Sequence, residues 1–498
     1  ELLTVQNCVH PGVHTQHADL EIDSCVLSNN PGGAVRAEYC EDLSMTSSSI
    51  LNNSMESLGT FGALDLYMSE GAFVQCVIES NGRDSGQTFD GGGIHLTAAS
   101  LALVQCRVAN NVARSHGGGM WMQAGSSAWL SECTFEANSA AYQGQFPGKG
   151  GGVYLEDGSI VVEDSEFRGN DAYLGGGVYA LRSSVSVRGS FFIDNTSERE
   201  GAGLHLFDSS SLDADGSWFW GNRAGGFGGA IRSYVADVSL YACAFADNQA
   251  ESGGSLHHKK GTFSAHQCTF SSNSSVHSGG AITLTGESLG TLEGCQFASN
   301  SAASAGDEMS WGSGGAISAG PSSELAILQC SFQDNTAHYG GAVICDGTDM
   351  AVIDSSFERN VAQFRGGALG VENRECAVSI EGCSVRGSRA DQSGGAIWIK
   401  TQSMASVSLS DSTLCQNTPE HVVGLWHDQG GVVMADSCCL GDVDSDAAVT
   451  LLDLERVIDR WGACDLCVED LDGSGHVNVN DLLIVLGQYG QACEMAGP

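Results

Sequence analysis

Apolar residues along most of this chain alternate with polar ones, and the alternation breaks every few residues. In SLALVQCRV, residues 100–108, apolar side chains stand two apart, and after a break of three come Cys106 and Val108. GGGIHL, residues 91–96, is another short alternating stretch that follows a run of glycines. Alternation with a period of two is typical of strands with one buried face. The pattern therefore predicts an all-β domain of many short strands separated by corners.

The alternating segments belong to a phrase that recurs through residues 25–417. One half of it is a glycine pair, a small residue and an aliphatic one, and the small residue stands at Ala34, Gly93, Gly119, Gly152, Gly177, Gly203, Ala230, Ser255, Ala281, Ala316, Ala342, Ala368 and Ala396. The other half is Cys or Ser, then Phe or an aliphatic residue two places on, then Asn, as in Cys330, Phe332 and Asn335. Most copies are 25–27 residues apart. Units this short cannot bury a core alone, so they must stack.

Three short strands per repeat predict one rung of a right-handed parallel β-helix. Parallel strands lie about 4.8 Å apart, so about 15 rungs would form a rod about 70 Å long. Equivalent side chains then form columns: phenylalanines in the core, a hydrogen-bonded asparagine ladder at one corner, and glycine pairs with positive φ at another. Asparagine suits such a corner because it tolerates the left-handed conformation. Cysteines stacked at the rung spacing are too far apart for disulfides and are predicted to be free.

Composition and charge agree with an all-β protein and narrow the range of possible functions. The chain has 67 Gly, 6 Pro and only 16% charged residues, which favours a turn-rich all-β protein. A net charge of −39 argues against nucleic acid and anionic membranes as partners. No apolar run is long enough for a transmembrane segment. The 19 cysteines and the non-methionine start at Glu1 favour a secreted or cell-surface protein whose signal peptide has been removed.

The repeated GGA[ILV] and FxxN motifs resemble those of the polymorphic outer-membrane proteins of chlamydiae and related secreted bacterial β-helix proteins. The resemblance covers residues 25–417. It implies a surface-displayed passenger domain that takes part in adhesion.

The pattern changes at the end of the chain, which predicts two domains, residues 1–437 and 438–498. Residues 441–462 and 469–490 form a tandem pair, and each copy is an acidic loop followed by apolar residues at helical spacing. Oxygen atoms at alternate positions of a tight loop suit Ca²⁺, so two calcium ions are predicted. The predicted ligands are Asp442, Asp444, Asp446, the backbone of Ala448 and Asp453 in the first loop, and Asp470, Asp472, Ser474, the backbone of His476 and Asp481 in the second.

These loops are similar to dockerin repeats, which implies a small α-helical, EF-hand-like domain and a cohesin-type partner. Similar tandem loops also end many secreted bacterial proteins as stabilised tails, and Ala447 departs from the glycine expected at the sixth position. Solvated acidic loops are the alternative to ion binding. Five cysteines bracket the loops: Cys438, Cys439, Cys464, Cys467 and Cys493. A Cys439–Cys493 clamp is favoured over zinc binding by the Cys464-x-x-Cys467 motif.

A column of variable residues is the predicted binding face of the rod. If Ile94 and Leu96 point inward, the residue between them points outward. The equivalent position in neighbouring repeats is rich in aromatic and imidazole rings: His95, Trp121, Tyr154, Tyr179, His205 and His257. Such a stripe suits sugar rings or a protein partner. The alternative is that these side chains pack against a neighbouring loop or one another.

These features predict a structural or adhesive rod without catalytic residues. The first residues, LLTVQNCV, match the middle of a rung and carry no polar cap. An open first rung would allow head-to-tail self-association into filaments or binding of another extracellular protein, unless a preceding piece was removed. The alternative is a polysaccharide lyase or hydrolase with a dockerin-like tail, since stacking can bring two carboxylates together.

Overall fold

The computed structural model describes residues 3–490 except 54–61, 83–89, 141–146, 304–311, 373–375, 401–404, 436–437, 439–440, 444–447, 464–466 and 472–473. Within these residues the chain winds into a parallel β-helix. Each rung contributes up to four strands, named here A to D in chain order, and each strand pairs in parallel with its equivalents in the rungs before and after. The A strand follows the glycine pair, the C strand carries the phenylalanine, and the D strand follows the asparagine.

The A and B strands belong to one 30-stranded sheet, in which Leu256–His266 and Ile282–Glu293 each run through both classes. The separate A strands are Val13–Gln16, Val35–Glu38, Leu64–Tyr67, Ile94–Thr97, Met120–Gln123, Val153–Glu156, Val178–Leu181, Leu204–Phe207, Ile231–Tyr234, Ile317–Ala319, Val343–Cys345, Leu369–Val371, Ile397–Ile399 and Val422–Val423. The separate B strands are Leu20–Asp23, Leu43–Thr46, Glu70–Val74, Ser100–Val104, Ser127–Ser131, Ser159–Glu163, Ser184–Arg188, Ser211–Asp215, Asp237–Tyr241, Ser323–Leu328, Thr348–Ile353, Ala377–Glu381, Ser406–Ser410 and His427–Asp428.

The C and D strands form sheets of 17 and 11 strands. The C strands are Thr4–Gln6, Val26–Ser28, Ser49–Leu51, Val77–Glu79, Arg107–Ala109, Thr134–Glu136, Glu166–Arg168, Phe191–Ile193, Trp218–Trp220, Ala244–Ala246, Thr269–Ser271, Gln296–Ala298, Ser331–Gln333, Ser356–Glu358, Ser384–Arg386, Thr413–Cys415 and Val433–Ala435. The D strands are Val112–Ala113, Ser139–Ala140, Asp171–Leu174, Thr196–Glu200, Arg223–Ala224, Gln249–Ser252, Ser274–Ser278, Ser301–Ala302, Thr336–Tyr339, Val361–Arg365 and Arg389–Ala390.

The all-β prediction is confirmed, and the rung count is slightly higher than the predicted 15. The 17 C strands give a rod about 80 Å long at about 4.8 Å per strand. The D strands were not predicted, because several of them are only two residues long and show no alternation.

The predicted phenylalanine column fills the core of the rod. Neighbouring rings lie 4.7–5.0 Å apart between centroids and within 10° of parallel. The stack consists of Phe135, Phe167, Phe192, Phe219, Phe245, Phe270, Phe297, Phe332 and Phe357. Its spacing is the strand spacing, so the backbone ladder itself places the rings in contact.

The asparagine ladder is also present and runs from Asn30 to Asn360. In a typical step, Asn195 donates both its backbone N–H and its Nδ2–H to Oδ1 of Asn222, at 3.1 and 3.0 Å. The Nδ2 of Asn222 then donates to the carbonyl of Phe192 at 2.8 Å and to the next asparagine. Each buried amide therefore ties three consecutive rungs together.

The left-handed conformation at this corner belongs to the residue before each ladder asparagine and not to the asparagine itself. Ala137, Asp194 and Arg359 have φ values of 51°, 51° and 52°. The ladder asparagines are not among the residues with positive φ, and their amides bond along the ladder. The glycine corner is as predicted: Gly117 has φ of 64°, and a Cβ there would lie 2.4 Å from the carbonyl oxygen of Met120. The reversal of the chain at this corner requires glycine.

The cysteine and serine column occupies the corner between the B and C strands. Its cysteines are buried and free, as predicted. The backbone N–H of Cys106 donates to Sγ of Cys133 at 3.4 Å, and that of Cys133 donates to Oγ of Ser165 at 2.9 Å. Cys and Ser replace one another in this column, because either side chain accepts the backbone N–H of the preceding rung.

Two short helices form the C-terminal part, α1 at Leu451–Asp459 and α2 at Val479–Gln488. The capping residues are Thr450 and Asn478, and each helix begins with a capping box. The two-residue strands Gly462–Ala463 and His476–Val477 pair in antiparallel fashion. A small apolar core of this part contains Val443, Val449, Leu454, Val457, Leu471, Val477 and Val485. Neither helix is long and apolar enough to cross a membrane, within the part of the chain that the structure describes.

Candidate functional site

The six residues predicted as a binding face lie in one column on the A strands, which we call the A column. His95 is in register with Trp121, and Trp121 with Tyr154. The register continues through Tyr179 and His205. Arg232 separates His205 from His257. The sequence therefore placed these side chains together correctly.

The prediction that the A column is open to solvent is wrong for five of its six residues, and Trp121 is partly exposed. His95, Tyr154, Tyr179, His205 and His257 are only 1–6% exposed. The chain reverses so tightly at the glycine pair that the residue before it lies beside the column. Thus the ring of His116 is 4.6 Å from that of Tyr154, and Phe227 is 4.8 Å from His257. The column packs against this neighbouring segment and against itself.

Polar groups of the A column are largely paired with one another. Nδ1 of His95 is 2.8 Å from Oδ1 of Asp65, and its ring stacks on Trp121 with centroids 4.4 Å apart. Nε of Arg232 is 3.1 Å from Glu200, and Nη1 is 2.9 Å from Nδ1 of His257. Among the described residues, Nε1 of Trp121 and Nδ1 of His205 are buried without a hydrogen-bond partner.

Burial moves the ionisation of several of these groups away from neutral pH. It lowers the pKa of His205 to about 3, an effect that the nearby Arg232 charge strengthens. It also lowers the pKa of His257 well below its usual value and raises the pKa of the Tyr154 and Tyr179 phenols. These four groups are therefore neutral at pH 7 and are poorly suited to exchange protons there.

The buried histidines should make the rod sensitive to acid. As pH falls below about 6.5, the unfolded chain binds a proton at His205 that the folded chain does not, so stability is lost as pH falls toward the folded pKa. Thermal unfolding at about pH 7 and about pH 4.5 should show a loss roughly 2 kcal/mol smaller in His205→Phe than in the parent protein. The exposed His10→Phe is the control. Equal losses in all three proteins would contradict this assignment.

A shallow groove runs along the outer face of the B strands, and sequence reasoning missed it. One section of about 450 Å³ is lined by small residues such as Ala72 and Ala102, by the carboxylates of Glu41, Asp42 and Glu70, and by Trp129. A second section of about 620 Å³ contains Glu324 and Asp349. Small side chains at the outward positions of successive B strands were the available signal.

The predicted calcium ligands are described only in part. Asp444, Asp446 and Asp472 lie outside the described residues, so the two loops are not tested as complete sites. Asp453 and Asp481 are fully buried at the third position of α1 and α2. Asp442 and Ala448 are partly buried, whereas Ser474 and His476 are exposed.

The second loop has the hydrogen bonding expected of a tight oxygen-rich turn. Asp470 accepts the N–H groups of Ser474 and Gly475 at 3.0 and 2.8 Å. Asp481 accepts those of Leu471 and Asn478 at 2.6 and 2.7 Å. Carboxylate oxygens are ligands that calcium accepts.

One disulfide closes the end of the β-helix, between Cys415 and Cys438. Cys438, one of the five cysteines that bracket the calcium loops, is thus bonded to a C strand of the β-helix. Cys467 is also disulfide-bonded, which removes it as a thiolate ligand for zinc. Cys439, Cys464 and Cys493 lie outside the described residues, so the predicted Cys439–Cys493 clamp stays a prediction.

Comparison with protein families agrees with this architecture. The model of the right-handed β-helix region matches residues 69–245 and 230–418, which together are more than half of the chain. The chain therefore belongs to the right-handed β-helix family, as its repeats predict. No curated protein matches the chain. The fold is compatible with structural, adhesive and polysaccharide-active proteins, so it does not by itself choose a function.

Proposed function

We propose that the protein is a secreted or cell-surface rod with a structural or adhesive role and no enzymatic activity. The observation that carries this proposal is that side chains of the A column contact one another and the neighbouring corner segment. The variable His, Tyr and Arg side chains, which looked like a ligand-binding stripe, pair with one another and with the glycine-corner segment. Their contacts support the rod and leave few of their polar groups for a substrate.

The ladders support a mechanical role. Every step from Asn30 to Asn360 is a buried amide bonded to the next rung, beside the phenylalanine stack. A bend would have to open several of these bonds at once, and buried amides without partners are costly. A stiff spacer about 80 Å long suits a protein that holds an attachment surface away from its support.

The groove on the B strands favours a second candidate, a polysaccharide lyase or hydrolase. Glu41, Asp42 and Glu70 line one section with Trp129, and glycoside hydrolysis needs only two suitably spaced carboxylates. A groove along a rod would also accommodate an extended polymer. This candidate depends on bond cleavage, which the structural proposal excludes.

Product release distinguishes the two candidates. The purified full chain is incubated with neutral, amino-sugar and uronic-acid polysaccharides, and new reducing or unsaturated ends are measured. We expect no release above that of the Glu70→Gln and Glu324→Gln variants. Release by the parent protein that either variant abolishes would establish the enzyme and overturn the structural proposal.

Calcium should stabilise the C-terminal part. We expect Ca²⁺ to raise its unfolding temperature and a chelator to lower it, because short helices with a small core depend on the ions that close their loops. Asp481→Asn should weaken this response, whereas Asp459→Asn, at the other end of a helix, is the control. Calorimetry with and without Ca²⁺ measures it, and an unchanged transition in the parent protein would contradict calcium binding.

The C-terminal part also supports a role in attachment. Apolar residues at equivalent positions of α1 and α2 remain exposed: Leu451 and Val479, Ile458 and Leu486, Trp461 and Tyr489 are each 49–59% exposed. Two matching apolar surfaces suit a protein partner, as the dockerin resemblance implies. End-to-end self-association of the rods stays a prediction of the same proposal.

A further inference from the structure

The outward positions of the C strands change character at one place on the rod. In most rungs they are polar or small, as at Thr134 and Ser271. In two adjacent rungs they are Phe191 and Ile193, then Trp218 and Trp220. The residues between them, including Phe219, point inward and belong to the core stack. This variation is independent of the repeat, because the inward positions keep the usual pattern.

Phe191, Trp218 and Trp220 form a surface that we call the aromatic platform. They are 42%, 55% and 52% exposed. Phe191 is in register with Trp218, and their rings are stacked with centroids 6.3 Å apart. Nε1 of Trp220 donates to Asp247 at 2.8 Å. The rings are therefore held in place before any partner binds, which reduces the entropy lost on binding.

Exposure of these rings is unfavourable unless they have a partner. A β-branched residue such as threonine would satisfy the strand equally well, and most rungs use small or polar residues at these positions. Contiguous exposed apolar surface commonly marks a binding site. Of the seven aromatic residues that are exposed in the described part of the β-helix, five lie within three consecutive rungs: these three, Phe227 and Tyr241.

The charges around the platform restrict what could bind there. Asp194, Asp215 and Asp247 are exposed beside it. Of the bases in these rungs, Arg168 is paired with Glu166 and Arg188 with Glu163, while Arg223 donates to the carbonyl of Gly221 at 3.5 Å. The chain as a whole carries a net charge of −39. A polyanion would be repelled, whereas hydroxyl and amino groups would find carboxylate acceptors.

We propose that the aromatic platform binds a non-acidic polysaccharide, with the apolar faces of its hexopyranose rings on Phe191, Trp218 and Trp220. Flat, amphipathic rings offer a large contact area at low entropic cost, and the flanking carboxylates accept hydrogen bonds from sugar hydroxyl or amino groups. The inference rests on the proposed adhesive function and identifies the adhesive surface. It differs from the second candidate function because the platform is on the C strands, whereas the groove is on the B strands.

The test compares matched tryptophan variants of the full chain. Trp218→Ala with Trp220→Ala removes most of the platform. Trp129→Ala tests the groove instead, since Trp129 is 42% exposed on the B strands and also donates Nε1 to a carboxylate, that of Glu163, at 2.9 Å. Binding to a soluble β-glucan, to chitosan and to alginate is measured by calorimetry, and circular dichroism checks that each variant is folded.

We expect binding to the β-glucan or chitosan, none to alginate, and a loss of about tenfold or more in the double variant only. Binding of alginate alone, retention of glycan binding by the folded double variant, or no binding to any of the three would overturn the proposal. Equal loss in Trp129→Ala would move the site to the groove. None of these binding results is evidence for catalysis, which the product-release assay tests separately.

Discussion

Asn222→Ala is expected to destabilise the rod by about 3 kcal/mol or more. The change leaves the backbone N–H and the Nδ2–H of Asn195 without their acceptor, and the carbonyl of Phe192 without its donor. All these groups are buried, so water cannot replace the lost partner. Asn222→Asp should be at least as damaging, since it keeps an acceptor for Asn195 but cannot donate to Phe192 and buries a charge.

Chemical denaturation followed by fluorescence and circular dichroism measures this loss. Asn110→Gly is the control: Asn110 is partly exposed, has φ of 55°, and lies outside the ladder. It should change the stability by less than about 0.5 kcal/mol. If Asn222→Ala were as mild as the control, the ladder would not be a source of the rod's stability.

Phe192→Ala is expected to cost about 3–5 kcal/mol, and Phe191→Ala less than about 1 kcal/mol. The two residues are neighbours on one C strand. Phe192 is fully buried between Phe167 and Phe219, at 4.9 and 5.0 Å between centroids, while Phe191 is 42% exposed. The same chemical change therefore creates a cavity in one case and only trims the surface in the other.

The two variants are closely matched, because they share the strand, the residue type and the substitution and differ in the side of the strand that the residue faces. Denaturation midpoints of both variants and the parent protein are measured under identical conditions. Similar losses in the two variants would contradict the inward and outward assignment of the C strands. The Phe191→Ala protein should also remain folded enough for glycan-binding measurements.

The fold was predictable because the same pattern of residues recurs in many repeats. A single Phe or Asn would be ambiguous, but recurrence at 25–27 residues allows only stacking. The D strands were not predictable, since Val112–Ala113 is too short to alternate. The left-handed residue before each ladder asparagine did have a signal, because Gly, Asn or Asp often stands there, as at Gly169, Gly221 and Asp247, and these residues favour that conformation.

The candidate sites were harder to predict. Alternation shows on which side of a strand a residue lies, but it does not show which other residues cover that side. His95 and Tyr154 do point away from the core, yet the corner segment before the glycine pair buries them. The repeat does not predict the aromatic platform, because Phe219 is the only residue of WFW, residues 218–220, that belongs to the repeated phrase. The Cys415–Cys438 bond follows from register, since Cys415 pairs with Ala435, three residues before Cys438.

The functional proposals distinguish the residues that recur through the repeats from those that vary between repeats. Repeated residues build the rod, and the exceptions are where binding is expected: Trp218 and Trp220 on the C strands, the acidic groove, and the exposed apolar residues of α1 and α2. This division predicts that the surface variants alter binding while the ladder variants alter stability.

Micrographs of the purified full chain, with Ca²⁺ and after chelation, show directly whether the β-helix is stiff. We expect straight rods about 80 Å long in both conditions, because stiffness comes from the asparagine and phenylalanine ladders and calcium acts only on the C-terminal part. Rods that bend freely, or that lose their shape when calcium is removed, would contradict the proposed structural role.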